Sequence, residues 1–488
     1  MASGAPCIGY KRSILKNTLA LSIPNVLNPL ISFLLVLVIS RYLGVEGLGK
    51  YSLVLSYLGI FATFASLGLS DFVVREVARR PRDAHKFFFN AGIFGTISSL
   101  ISFLCMDATV WVMGYETDVV QAAVLCSLSL VASTAVAYME AIFRAIEKSE
   151  YVALTFVLEN ILRVAMAVWL LLHGFGIVPL FAVILGSRLF GCALMFCLYV
   201  RVLGMPGSRY DPEIWRVLAM EAPTFTSIAI FSTIHMSLGT IMLSKLQSIE
   251  SVGIFSAADR LLAICKMFPV AFSAALLPFF TKRFGSGPEH LQRLSTETLR
   301  LVMLGTLPVV VGTMVLAENI VTTIYGAKFA AAGSILMVHI ISLVPFSTVF
   351  ILAQVLIATD HQKVDLTINI VAAIAIFVLN MILIPYFAEM GVVLATLVTI
   401  VLFHQLQYWY IKKRLFPVPL AEISWKAVVA SLAMGVFTYA IREWNLFLNV
   451  ILSALVYCSL VVLIKGVTPE EIGALAGMFR ARNKREQG

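Results

Sequence analysis

Apolar stretches of about twenty residues recur fourteen times along the chain, and nothing else in the sequence restricts its folding as strongly. A helix rises about 1.5 Å per residue, so such a stretch matches a hydrocarbon core roughly 30 Å thick. The runs cover residues 17–39, 51–69, 87–106, 119–141, 152–172, 177–200, 217–243, 252–277, 299–317, 332–358, 364–386, 390–411, 424–441 and 446–464. Composition agrees. Of 488 residues, 60% are hydrophobic and 13% charged, where a soluble protein carries about 25% charged residues. A chain this apolar exposes more greasy surface in water than one core can bury, which excludes a soluble enzyme or a secreted module. The first run follows Lys11, Arg12 and Lys16 in the manner of a signal peptide. It is too long for that and lacks a small-residue cleavage site, so it reads as a span. The expected fold is an all-α polytopic membrane protein of about fourteen transmembrane helices.

The formal net charge of +9 bears first on topology. With the N-terminus inside, 27 Lys and Arg fall in cytoplasmic segments and 5 (Arg41, Lys50, Lys245, Lys328, Arg442) in external loops. Positive loops stay in the cytoplasm, so both termini are expected there, in the cell membrane. Nucleic acid is not an expected partner. The seven cysteines lie mostly inside apolar runs without metal spacing, and neither a metal nor a cofactor is expected. In the tail, Thr468-Pro469-Glu470-Glu471 reads as a helix start. Ile472, Leu475 and Phe479 follow at helical spacing before a basic end, as in a short amphipathic helix held by anionic lipid.

An internal repeat organises the spans. Residues 40–52 (SRYLGVEGLGKYS) align without a gap on residues 244–256 (SKLQSIESVGIFS) at an offset of 204. Leu154-Thr155 and Leu366-Thr367 give a weaker echo at 212. Six spans per repeat is an even number, so two six-helix lobes are expected, related by a pseudo-twofold axis along the membrane normal. The expected divisions are an N-terminal lobe at 1–200, a cytoplasmic linker at 201–216 and a C-terminal lobe at 217–411. Two further spans at 412–464 and a basic tail at 465–488 complete the chain.

The stretches SRYLGVEGLGKYSLVLSYLGIFATFASLGLSDFVVREVAR, EAIFRAIEKSEYVAL, TIMLSKLQSIESVGIFSAADRL, AENIVTTIYGAKFAAAGSIL and NMILIPYFAEMGVVLAT carry a resemblance. In that order, over nearly the whole chain, they resemble the polysaccharide-exporter branch of the superfamily that also holds multidrug and toxin extrusion transporters and lipid II flippases. The resemblance implies a flippase that moves polyprenyl-diphosphate-linked oligosaccharide across the cytoplasmic membrane by alternating access, for surface polysaccharide synthesis. It also implies a possible coupling ion, proton or sodium. Similar proteins carry an Asp in span 7 where this chain has Gly239.

Four cations remain inside spans: Arg163, Arg188, Arg260 and Lys266. A charge at mid-bilayer costs about 2.5–3.5 kcal/mol on the lenient insertion scale, so such residues face a partner or a wet cavity. They are the candidate binding set for a diphosphate, which Arg grips through its planar fork and Lys as a point charge. Glu159 lies four residues before Arg163, the spacing of a local ion pair. Asp259 adjoins Arg260 but points about 100° away on a helix. Arg188 and Lys266 have no acid at helical spacing, and a cleft between lobes would let them face each other. Glu159, Asp259 and His235 are candidates for ion pairing or coupling. His235, His339 and His404 also fit the blander role of interhelical hydrogen bonder. Export of cationic drugs calls for buried carboxylates, which are outnumbered here. A membrane glycosyltransferase or ligase calls for a catalytic acid pair on a sizeable loop, and the longest expected loop runs only over 282–298.

Overall fold

The computed structural model describes residues 6–207, 210–284 and 288–466, without the side chains of 6–29 and of parts of 224–236 and 271–288. The expected tail helix after Val467 lies outside the described residues. Every described element is helical: α1 (Pro6–Ser66), α2 (Ser70–Arg79), α3 (Ala84–Val112), α4 (Thr117–Ala145), α5 (Ser149–Leu172), α6 (Ile177–Leu203) and α7 (Pro212–Leu246) come first. There follow α8 (Ile249–Phe284), α9 (Pro288–Tyr325), α10 (Ala331–His339), α11 (Leu343–Ala358), α12 (Gln362–Arg414), α13 (Leu420–Ala440) and α14 (Leu446–Leu463).

All fourteen apolar stretches fall on these helices, with breaks where local chemistry demands them. α1 contains two stretches separated at Gly44, whose φ of 68° suits a residue without a Cβ. α12 likewise breaks at Ala388, three residues after Pro385, which supplies no N–H to the helix ladder. The stretch 332–358 is interrupted by a 3-10 turn at Ile340–Ser342, just before Pro345. α7 starts at Pro212, ahead of the expected span, because Asp211 caps it by accepting from the backbone N–H groups of Glu213 and Ile214. Two expected loops are also corrected. α2 occupies the segment after span 2, burying Phe72, Val73 and Val77, and most of 282–298 is helix.

The backbone repeats where the sequence does. The break at Gly44 corresponds to the non-helical 247–248 between α7 and α8, at the offset of 204. The ends of α4 and α11 carry matching Schellman caps. Lys148 N–H donates to the Phe143 carbonyl at 2.9 Å and His361 N–H to the Leu356 carbonyl at 2.8 Å, while Glu147 and Asp360 both sit at φ 60°.

The helices gather into two compact units. One holds α1–α7, the first part of α8 to Arg260, and Ala373–Val392 of α12; the other holds Leu261–Ala372 and the chain from Val393 onward. The first unit's core packs Phe72, Tyr138, Met139, Phe143, Met195 and Tyr199. In lipid, helices associate through close packing rather than through the hydrophobic effect, so small residues matter. A Cβ at Gly95 of α3 would come within 2.3 Å of the Tyr138 ring on α4. In the second unit, Leu291, Leu299 and Ile351 pack with Ile411 and Phe416, while Tyr457 of α14 donates to the Leu304 carbonyl of α9 at 2.6 Å.

Candidate functional site

The first unit carries three of the four intramembrane cations, and it treats them differently. Arg188 of α6 donates from Nη1 to both Glu159 oxygens, at 3.0 and 3.2 Å, and from Nε to Ser133 Oγ of α4 at 2.8 Å. Glu159 is only 4% exposed. Gly191, one turn along α6 from Arg188, makes room for it, because a Cβ there would lie 2.4 Å from Glu159 Oε2. The expected pairing of Glu159 with Arg163 is therefore corrected. The carboxylate crosses to α6, where a two-oxygen charge-assisted contact is open to it, rather than running along its own helix. Glu140, near the end of α4, lies within electrostatic range of Arg188, Arg144 and Glu159 and joins this knot.

Arg163 turns instead to Asn160, whose Oδ1 accepts from Nη2, and its buried Nε finds no acceptor among the described residues. Arg260 is half-buried. Both arginines lie within electrostatic range of Tyr51, a buried ring that packs on Phe181 at 5.8 Å. Neither makes an ion pair among the described residues, and the same holds for Asp259.

The remaining candidates are scattered. Lys266, in the second unit, places its ammonium 5.2 Å from the centre of the Phe346 ring and has no carboxylate partner among the described residues. In the same unit, His404 meets Thr348 Oγ1 at 2.7 Å and lies flat against Tyr408, the interhelical role anticipated for a histidine. The side chain of His235 lies outside the described residues. At Gly239, a Cβ would lie 2.7 Å from Val392 Cγ1, so a larger residue there displaces Val392. Asn380, fully buried beside it, leaves both amide atoms unbonded among the described residues. No group of three or more His, Cys, Asp or Glu positioned for a metal occurs among the described residues.

A further charged centre was hidden in the sequence. Lys50, counted only as an external-loop lysine, lies 2.8 Å from Glu46, 2.8 Å from Glu116 and 2.7 Å from Asp118. Two of these acids come from the start of α4, more than sixty residues away, so spacing along the chain gives no sign of them.

Ten segments among the described residues are long and apolar enough to cross a membrane. Comparison with known proteins gives the chain its relatives. The family model described as polysaccharide biosynthesis protein matches residues 14–284, more than half of the chain. A capsular polysaccharide biosynthesis protein of Staphylococcus aureus, CapF, is 23% identical over 413 residues, covering 83% of this chain and 100% of that protein. A probable flippase of Haloferax volcanii, AglR, is 25% identical over 213 residues, 43% of this chain and 44% of its own length. In structure, the lipid II flippase MurJ in its inward closed conformation superposes with a TM-score of 0.77 at 15% identity, covering 92% of this chain and 98% of that one. That likeness establishes a shared fold. The chain is a multi-pass membrane protein and belongs to the polysaccharide biosynthesis protein family.

Proposed function

We propose that the protein is a flippase that carries a polyprenyl-diphosphate-linked oligosaccharide across the cytoplasmic membrane by alternating access. Family membership and a probable flippase among the relatives support transport of a lipid-linked saccharide. The observation that carries the diphosphate is the state of the cations. Arg163, Arg260 and Lys266 fall inside the apolar runs 152–172 and 252–277 and have no carboxylate partner among the described residues; buried in a bilayer they carry a cost that an anionic ligand offsets. In the first unit Arg163 and Arg260 supply guanidinium forks, with Arg188 a partly committed third cation, and Lys266 is a separate point charge in the second unit. Glu159, engaged by Arg188, is a poor receptor for a cationic drug, so the multidrug reading is the weaker one. Nothing comparable favours a glycosyltransferase or ligase.

The loop charges support both termini on the cytoplasmic side, which labelling of single introduced cysteines from either face checks. The function is tested by reconstituting the full chain in liposomes with a fluorescent polyprenyl-diphosphate oligosaccharide in the inner leaflet. A membrane-impermeant glycosidase added outside should trim the glycan only in liposomes that contain protein. Trimming no faster than in protein-free liposomes contradicts the proposal.

A further inference from the structure

The repeated segments 40–52 and 244–256 touch each other, and they do so reciprocally. A Cβ built on Gly49 would lie 2.1 Å from the Ile249 carbonyl oxygen, and one built on Gly253 would lie 2.0 Å from the Val45 carbonyl oxygen. Gly253 is the repeat counterpart of Gly49 and Ile249 that of Val45, both at the offset of 204. In a twofold contact, residue i meets j of the partner while j meets the partner's i. This contact has that form within one chain. Both approaches are backbone to backbone, close enough only for a glycine Cα–H against a carbonyl.

The same end of the first unit is tied elsewhere. Tyr115, after α3, meets Ser244 Oγ of α7 at 2.8 Å and Tyr57 of α1 at 3.2 Å. The Lys245 ammonium lies 3.5 Å from the centre of the Tyr115 ring and donates to the Met113 carbonyl. Lys50, next to Gly49, gathers its three carboxylates from α1 and the start of α4. The ties of Tyr115 to Ser244 and of Lys245 to Tyr115 and Met113 join the two repeats through side chains, while Lys50 and its three acids all belong to the first repeat. The glycine pair is reciprocal, and it brings the two repeated junctions into backbone contact.

We propose that Gly49 and Gly253 form a twofold latch whose closure shuts this end of the molecule and whose release opens it. The inference rests on the alternating-access reading above. Each half of the latch is a contact that any side chain forbids, so either substitution favours the released state. The twofold relation demands that the two substitutions act alike.

The test places spin labels, through bioorthogonal amino acids, at Glu46 and Glu250, which are exposed repeat counterparts. The full chain is reconstituted in lipid and the label separation measured. With both glycines intact, the pair shows a short and a long population. Gly49→Ala and Gly253→Ala each raise the long-to-short ratio by about tenfold and by similar factors. Gly92→Ala, where a Cβ has nothing within 4 Å, leaves it unchanged. Equal distributions in all variants overturn the latch, as does a response at one glycine alone. Should the alanine variants fail to fold, the unsubstituted pair still decides. One fixed separation, with and without a short-chain polyprenyl diphosphate, overturns the latch. A shift in separation without transport of lipid-linked glycan upholds the latch and overturns only the substrate assignment.

Discussion

Arg188 and Arg163 occupy adjacent, packed helices of one unit at similar depth, yet they solve the burial of a charge in opposite ways. Arg188 is enclosed by Glu159 and Ser133, with Gly191 shaped to admit the carboxylate. Arg163 makes do with an amide oxygen and, with Arg260, approaches a buried tyrosine. The difference separates two uses of an intramembrane cation. One that carries its own acid is part of the scaffold and fixes α5 against α6. One without an acid among the described residues is, under the proposed function, the receptor for an anion from outside the chain. Lys50 extends the scaffold side of the comparison, with three acids to one cation near the end of a helix.

The scaffold role breaks most visibly at Glu159. Glu159→Ala removes the ion-pair partner of Arg188, and losing one partner of a buried pair costs about 3–5 kcal/mol. Because Arg188 is 32% exposed, the lower end, about 3 kcal/mol, is expected. Thermal unfolding in detergent reads this. An unchanged melting temperature would show that the pair is not structural. Gly191→Ala should fall short of this, because the carboxylate can rotate away while Arg188 keeps Ser133. A loss of about 1–3 kcal/mol is the overpacking range.

The other side of the comparison is sharpened by Arg163→Ala and Arg260→Ala. A hydrogen bond to a charged group contributes about 1.5–3 kcal/mol, so each variant should weaken diphosphate-lipid binding by tenfold or more. Melting temperature should stay within a degree or two of the parent. If stability falls and binding does not, these arginines belong with Arg188. The smallest effect belongs to Lys50→Ile, which copies Ile254, its counterpart in the second repeat. Two of its three acids are well exposed, so a loss of about 1 kcal/mol is expected in chemical denaturation. A loss several times larger would make this cluster as structural as the Arg188 knot.

How far the sequence foretold this depends on whether the determining contact is local. Span positions depend on runs of apolar residues, so the breaks at Gly44 and Ala388 fall between expected spans, and the 204-residue offset recurs in the backbone. Partner choice depends on neighbouring helices, and there local spacing misled. Glu159 stands four residues before Arg163, but α6 offers it Arg188 and an open place at Gly191. Glu140 sits at the edge of its span, where nothing in the local sequence marks it as an intramembrane acid. Lys50 gave no sign of Glu116 and Asp118. In each case the missing information was which helix faces which, and a single sequence does not hold it.

The central claim, that unpaired cations at membrane depth receive a diphosphate, is tested most directly by equilibrium binding to the full chain in nanodiscs. The probes are a short-chain polyprenyl-diphosphate saccharide and its neutral analogue, in which the saccharide joins the polyprenol without phosphate. The account predicts that the parent protein binds the diphosphate probe at least tenfold more tightly than the neutral one, and that Arg163→Ala with Arg260→Ala erases this preference. Equal affinity of the parent for both probes, or a preference untouched by the double substitution, would contradict it.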